Sequence, residues 1–292
     1  MSNTIALAEK FQPILDEIYK KASLTSMMDA RTKPVDFAGA SVVNVFKTSM
    51  VGLGTYSRSS GYPAGDVTGA WESLELTAQR GREFNIDRMD DEETLGMAFG
   101  TLAGEFIRTQ VAPEVDAYRF ATYAGWSSIS GTTGTLSAGT ILAAIDAGSL
   151  QMDTDEVPDE GRILFISSAC HSYLESAVTR TLSNENAVDR RVAMFDGMQV
   201  VKVPQGRFYT AISLDAGGSS DAGGYSDDGE DINFMLVHPT AVLQATKLAN
   251  LKIFSPDENQ DMDAWKIQYR LYHDAFVYDN KVDGIYMHAK AS

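Results

Sequence analysis

Between Glu72 and Ile86 apolar and polar positions alternate: Leu74, Leu76, Phe84 and Ile86 fall on one side, Ser73, Glu75, Thr77, Gln79, Glu83 and Asn85 on the other. This two-residue period is that of a half-buried strand. Upstream, residues 40–58 (ASVVNVFKTSMVGLGTYSR) are rich in β-branched side chains and alternate in part, with a glycine break. The turn formers SSGYPAGDVTG separate the two runs. The pattern predicts one long hairpin, with Arg80 and Arg82 on the same side as the leucines. A strand over residues 72–86 reaches roughly 50 Å, about the diameter of a compact globule of 292 residues. A two-stranded ribbon is marginal alone, so support from outside the hairpin is expected.

The period then changes. Asp90 is placed to cap a helix, with Glu93 three positions on as in a capping box and Asp91 and Glu92 favouring the positive end of its dipole. Leu95, Phe99, Leu102 and Phe106 follow in a single stripe. The pattern predicts a helix to Tyr123, kinked at Pro113 and about 50 Å long. On its flank Gly96, Gly100 and Gly104 recur every fourth position. Each costs about 1 kcal/mol relative to alanine, which points to close approach of another backbone. Charges at Glu92, Glu93, Glu105 and Arg108 argue against a membrane reading of these small residues. Residues 3–21 carry a weaker stripe, Leu7, Phe11, Ile14 and Ile18, interrupted by Pro13, and read as a broken or loosely held arm.

Beyond a linker at Ser127–Gly134 the expected elements alternate: a helix over Ser137–Gly148, a buried strand over Arg162–Ser168, a helix over Ala169–Thr181 and a strand over Met198–Val203 ending at Pro204. A third apolar strand spans Asp231–Val237, followed by a helix opened by Pro239. This indicates an α/β or α+β sub-domain. Residues 214–231 (LDAGGSSDAGGYSDDGED) read as a mobile acidic surface loop. In the stretch WKIQYRLYHDAFVYDNKVDGIYMH (265–288), Trp265, Ile267, Tyr269 and Leu271 alternate with Lys266, Gln268, Arg270 and Tyr272. Four tyrosines and two histidines are therefore spaced as a sheet face, not gathered as a pocket. Turn chemistry over Asp279–Gly284 precedes a last strand, Ile285–Lys290.

Charge and cysteine content narrow the function classes. The net charge of −16 disfavours nucleic acid and anionic membrane as surfaces to bind. The single cysteine, Cys170, excludes an intrachain disulfide and thiolate-rich zinc sites. Glu9, Lys10, Asp16 and Glu17 interrupt the first residues, so no signal peptide or membrane span is read there.

Candidate chemistry is sparse. Ser167, Ser168, Cys170 and His171 cluster at a strand-to-helix turn, but no glycine permits a strained nucleophile elbow. The spacings of His171, His238, His273 and His288 match no metal-ligand pair, which predicts structural histidines. Asp227, Asp228, Glu230 and Asp231 have carboxylates for calcium, but not the spacing of an EF-hand loop. Phosphate-binding glycine motifs are missing and basic residues are scattered singly.

The order of elements resembles that of the major capsid proteins of tailed bacteriophages, a fold shared with encapsulins and the floor of herpesvirus capsids. IRTQVAPEVDAYRF (107–120), DGMQVVKVPQGRF (196–208) and the stretch 265–288 carry the resemblance. It implies an α+β phage major-capsid fold with an N-terminal arm (1–39), an extended hairpin loop (40–87), a spine helix and peripheral domain (88–135), an α/β axial domain (136–254) and return strands (255–292). The implied role is that of a non-enzymatic structural subunit without cofactors. Such subunits form pentamers and hexamers of an icosahedral shell in the host cytoplasm, and the virion shell encloses double-stranded DNA without reading its sequence. By the same resemblance Phe11, Tyr56, Arg58, Tyr62, Trp71, Arg80 and Arg82 make inter-subunit contacts, while Gly96, Gly100, Gly104, Phe99 and Phe106 pack the spine helix. Implied partners are a separate scaffolding protein, since no long charged helical segment precedes the arm, with a portal protein and decoration proteins. The alternatives are the shell protein of a cellular nanocompartment and, in another class, a hydrolase using Ser168 and His171.

Overall fold

The structure, a computed structural model, describes residues 23–29, 42–89, 104–178, 192–218 and 222–291. The expected helix of residues 3–21 with Phe11, and the first part of the long helix with Asp90, Gly96, Phe99 and Gly100, lie outside the described residues.

The apolar run ILFIS forms strand β5 (Ile163–Ser167), buried at every position. A strand with no exposed face needs cover on both sides. Ile163 and Phe165 point into a core with Phe120 and Tyr123 of helix α1 (Ala112–Ala124), while Leu164 and Ile166 point into another. That second core takes Ile141, Ile145 and Met152 from α2 (Ile141–Thr154) and Leu174 from α3 (Ser168–Val178). Around β5 stand β4 (Ser130–Thr133), β6 (Met194–Phe195), β7 (Met198–Val203), β10 (Ile232–Val237) and β13 (Ile285–Ala289). The sheet order is β4-β13-β10-β5-β7-β6, parallel at β5–β7 and β4–β13 and antiparallel elsewhere. Asp196 and Gly197, both at positive φ, make the tight turn between β6 and β7.

A second sheet is built from β3 (Ala78–Asp87), β11 (Val242–Phe254) and β12 (Ala264–Val277), antiparallel with β12 in the centre. The helix that ends as α1 is described from Gly104 and passes through a π turn, Ile107–Val111. Its side chains Ile107, Val111 and Val115 pack on Ile267, Tyr269 and Leu271. Phe106 meets Phe84 edge-on at 4.8 Å and Tyr269 at 6.0 Å. The expected kink at Pro113 takes the form of this π turn: Ala112 donates its N–H to the Ile107 carbonyl, five residues back. The wider ring makes room for a residue that has no N–H to give and whose ring crowds the preceding turn.

Several sequence expectations are corrected. The alternating run 72–86 is not one strand of one hairpin: β1 (Val42–Met50) pairs with β2 (Val67–Glu75), whereas β3 leaves to pair with β12. Alternation encodes which side faces inward, not which neighbour is paired. Arg80 and Arg82 therefore stand on β3 in the body. The helix expected after Pro239 is a short 3-10 turn, Pro239–Ala241, followed by β11, because pairing with β12 overrides the helix propensity of its Ala, Leu and Lys residues. The helix expected over 137–148 runs instead over 141–154, the linker 127–134 contains β4, and the acidic segment 214–231 is not simply a mobile loop. Its flanks pair as β8 (Ile212–Asp215) and β9 (Gly224–Asp227).

One buried carboxylate ties residues 23–29 to α1. Asp116, fully buried, accepts the Ser23 hydroxyl at 2.7 Å, the Thr25 hydroxyl at 2.7 Å, and the Leu24 and Thr25 amides at 2.9 and 3.2 Å. Arg207 adds its guanidinium at 3.2 Å. Met28 from the same segment enters the core beside Phe120. Asp116→Ala orphans these donors in the interior and is expected to lower unfolding stability by about 3 kcal/mol or more, read as a shift in the urea midpoint at unchanged slope.

Candidate subunit-docking arm

β1 and β2 form a two-stranded sheet of their own. From Thr48 to Trp71 every residue except Ser57 and Gly61 is exposed. The tip is nevertheless ordered by its own bonds. Ser57 and Gly61 exchange backbone hydrogen bonds at 3.2 and 2.8 Å, Gly61 takes a φ of +80° that disfavours other residues, and the Tyr56 and Tyr62 rings meet at 4.9 Å.

The register sorts the arm's side chains into two unlike faces. Opposed residues of an antiparallel pair share a face, so Phe46 with Trp71 and Met50 with Val67 lie together, separated by Thr48 with Gly69. Phe46 and Trp71 rings are 4.9 Å apart, and Phe46 lies over Gly69, where a β-carbon would come within 2.5 Å of the ring. These four large side chains are 51%, 69%, 73% and 70% exposed for Phe46, Trp71, Met50 and Val67. Lys47, Glu72, Ser49 and Thr68 form the opposite, polar face. With Val51, Leu53, Tyr56 and Tyr62, the arm holds most of the large apolar side chains exposed among the described residues.

Among the described residues only the root is covered. Val43, Leu74 and Leu76 pack with Leu243, Ala245 and Phe276 of the body. Lys47 bridges Glu72 at 2.7 Å and Asp279 of the last 3-10 turn, a pairing that raises the lysine's pKa and lowers the aspartate's. Trp71, Tyr56, Arg58 and Tyr62 all lie on the arm, while Arg80 is held inside the chain. Its guanidinium binds the Glu114 carboxylate at 2.6 and 3.2 Å and the carbonyls of Asp215 and Gly224 at 2.8 Å each. This side chain fastens the β8–β9 hairpin to the helix. Arg82 is exposed, with its guanidinium 3.4 Å from the Gly217 carbonyl. A groove of about 500 Å³ lies between these parts, floored by Phe84, Phe106 and Tyr269.

The candidate catalytic and metal-binding residues are dispersed. Ser168 donates to the Val203 carbonyl at 3.3 Å, and Ser167 accepts the Cys170 amide at 3.3 Å as a cap of α3. Burial pushes the Cys170 thiol up in pKa, and its sulfur lies 3.6 Å from the Asn233 amide oxygen. Asn233 in turn donates to the Gly134 carbonyl and lies 3.1 Å from His288 Nδ1. Among the described residues no group of three or more His, Cys, Asp or Glu is placed to hold a metal ion. In the acidic segment, Asp228 accepts from Ser213 while Asp231 pairs with Lys290 at 3.2 Å. Two carboxylates are buried: Asp116, which the sequence reading did not single out, and Asp274, which it placed on the face opposite His273 without its burial. The available signal was an acid at an inward helical position and another within the buried end of β12.

His273 is buried beside the edge of Tyr118, and burial, with the charges of Arg119 and Arg80, lowers its pKa to about 3. The unfolded chain restores a value near 6.5, so below that pH it binds a proton the folded state refuses. The resulting stability is complete above 6.5 and is lost as pH falls toward 3. Denaturant titrations at pH 8 and 5 are expected to differ by about 2 kcal/mol on this account, a difference that His273→Gln removes.

By sequence, no known family matches the chain and no curated protein matches it. Solved structures do. The capsid structure of the cyanophage P-SCSP1u aligns with a TM-score of 0.65 at 13% identity, covering 88% of this chain and 86% of that one. The mature capsid of bacteriophage PhiM1 aligns at 0.60 and 13% identity over 89% and 85%. A virus-like particle from Pyrococcus furiosus aligns at 0.56 and 10% identity over 97% and 99%. The likeness extends over most of the chain, and the chain has the phage major-capsid-protein fold.

Proposed function

We propose that the chain is a structural subunit whose copies assemble as pentamers and hexamers into an icosahedral shell enclosing phage DNA. The observation that carries this reading is the arm's exposed face of Phe46, Met50, Val67 and Trp71, on a ribbon with no third strand among the described residues. Each such side chain is worth about 1.5–3 kcal/mol on full burial, and a second copy offers a surface repeated as often as the arm itself. A contact between unlike surfaces propagates into a closed ring when its rotation closes, and rings of this kind tile a shell. The Tyr56, Arg58 and Tyr62 tip and the N-terminal segment with Phe11 extend that contact. A scaffolding protein, a portal protein and decoration proteins are the partners such a shell takes.

The likeness to a virus-like particle over nearly the whole of both chains favours one second reading, a protein nanocompartment. The contents of purified particles separate the two: nuclease-protected DNA for the first, a protein cargo for the second.

Phe46→Ser combined with Trp71→Ser is expected to leave a folded subunit, destabilised by less than about 1 kcal/mol, that forms no shells by negative-stain microscopy or light scattering. Normal shells from this variant, or a wild-type chain that stays monomeric with every candidate scaffold, would overturn the reading.

A further inference from the structure

β2 and β3 are separated only by Leu76 and Thr77, yet they belong to different sheets. The ladder with β1 stops at Glu75 and the ladder with β12 starts at Ala78. The backbone groups between the ladders still need partners. Side chains of β12 supply them for the Leu76 carbonyl and the Thr77 amide. Tyr272 donates its hydroxyl to the Leu76 carbonyl at 2.9 Å, and Asp274 accepts the Thr77 amide at 2.7 Å and the Thr77 hydroxyl at 3.0 Å on one carboxylate oxygen. Its other oxygen accepts the Tyr118 hydroxyl at 2.9 Å and the Ala275 amide at 2.8 Å. Asp274 is buried, and all four bonds converge on its one carboxyl group.

We infer that Tyr272 and Asp274 are positioning residues that set the angle at which the arm leaves the body. They clamp the Leu76 carbonyl and the Thr77 amide where the chain leaves the sheet of β1 and β2 for that of β12, with α1 braced behind through Tyr118. Another polar restraint, Lys47 with Glu72 and Asp279, is partly exposed, and solvent and salt weaken such an ion pair. The apolar packing of Val43, Leu74 and Leu76 holds the root on the body but is non-directional, so the directional bonds of the buried carboxylate are the ones that fix an angle. The lever is long: β1 alone extends about 30 Å, so a swing of about 10° at Thr77 displaces the far end by about 5 Å, more than a packed contact tolerates. The meaning of this angle for assembly rests on the shell reading above, but the angle itself belongs to the single subunit.

The test uses the unassembled full chain. Spin labels are placed at Ser59→Cys on the tip and Ser172→Cys on α3, both exposed, with Cys170 buried. The distance distribution is expected to be narrow in the otherwise unaltered chain and at least twofold broader in Tyr272→Phe, which loses a single hydroxyl, and in Asp274→Asn. Thr77→Val removes one of the four bonds to Asp274 and should broaden the distribution, and Thr77→Ser should restore it. A general loosening of the fold would not follow that hydroxyl. Unchanged widths in Tyr272→Phe and Thr77→Val would overturn the inference. Broadened arms that still build normal shells would uphold it and overturn the shell role given to the arm.

Discussion

The three-stranded and the six-stranded sheet of this protein are held by one helix. Its first part buries Ile107, Val111 and Val115 against the three-stranded sheet, and its last part buries Phe120 and Tyr123 against the six-stranded sheet. The two cores thus share a rigid bracket, and the π turn before Pro113 sits where the helix passes from one to the other. β12 runs the same course, packing Ile267, Tyr269 and Leu271 into one core and Ala275 and Val277 into the other. Were either element broken at its middle, the sheets would be two small domains joined by a loose tether, and the arm would have no fixed platform.

Buried charge is used at the places where regular structure gives out. Asp116 gathers hydroxyls and amides from residues 23–25, which have no strand or helix partners of their own, and Asp274 does the same for the switch between β2 and β3. Arg80 performs the reverse role, donating to two carbonyls at the ends of the β8–β9 hairpin. Each replaces ladder bonds that the local backbone cannot make. Leaving such groups unmatched in the interior would cost more than the net gain of an ordinary hydrogen bond. His273 completes the pattern as a buried group kept neutral by its surroundings.

The body satisfies itself and the arm does not. Within the described residues the interior is apolar on both faces of the central strands, whereas the β1–β2 ribbon presents a large apolar face to solvent on one side and the Lys47 side chain on the other. The acidic surface of a chain with net charge −16 keeps copies apart at random encounters. The nearly uncharged apolar strip of the arm is the exception, a place where approach is rewarded by burial rather than opposed by like charge.

Local periodicity was enough to recognise the buried strands at 163–167, 198–203 and 232–237, the alternating strand at 264–277 and the helical character through Tyr123, because each residue's inward or outward direction is set by its own element. Of the arm's exposed aromatic residues, Tyr56, Tyr62 and Trp71 came only from the family resemblance, and Phe46 was not singled out. Pairing was not legible either. The run 72–86 keeps one alternation through Leu76 and Thr77, yet its two parts join different sheets, and residues 242–254 carry helix-forming side chains but extend along β12. Partner choice depends on residues far away in the chain, here Asp274 and Tyr272 for the switch and β12 for β11. Sequence determined which faces are apolar; only the assembled tertiary structure decided which of them found cover inside the molecule and which, on the arm, did not.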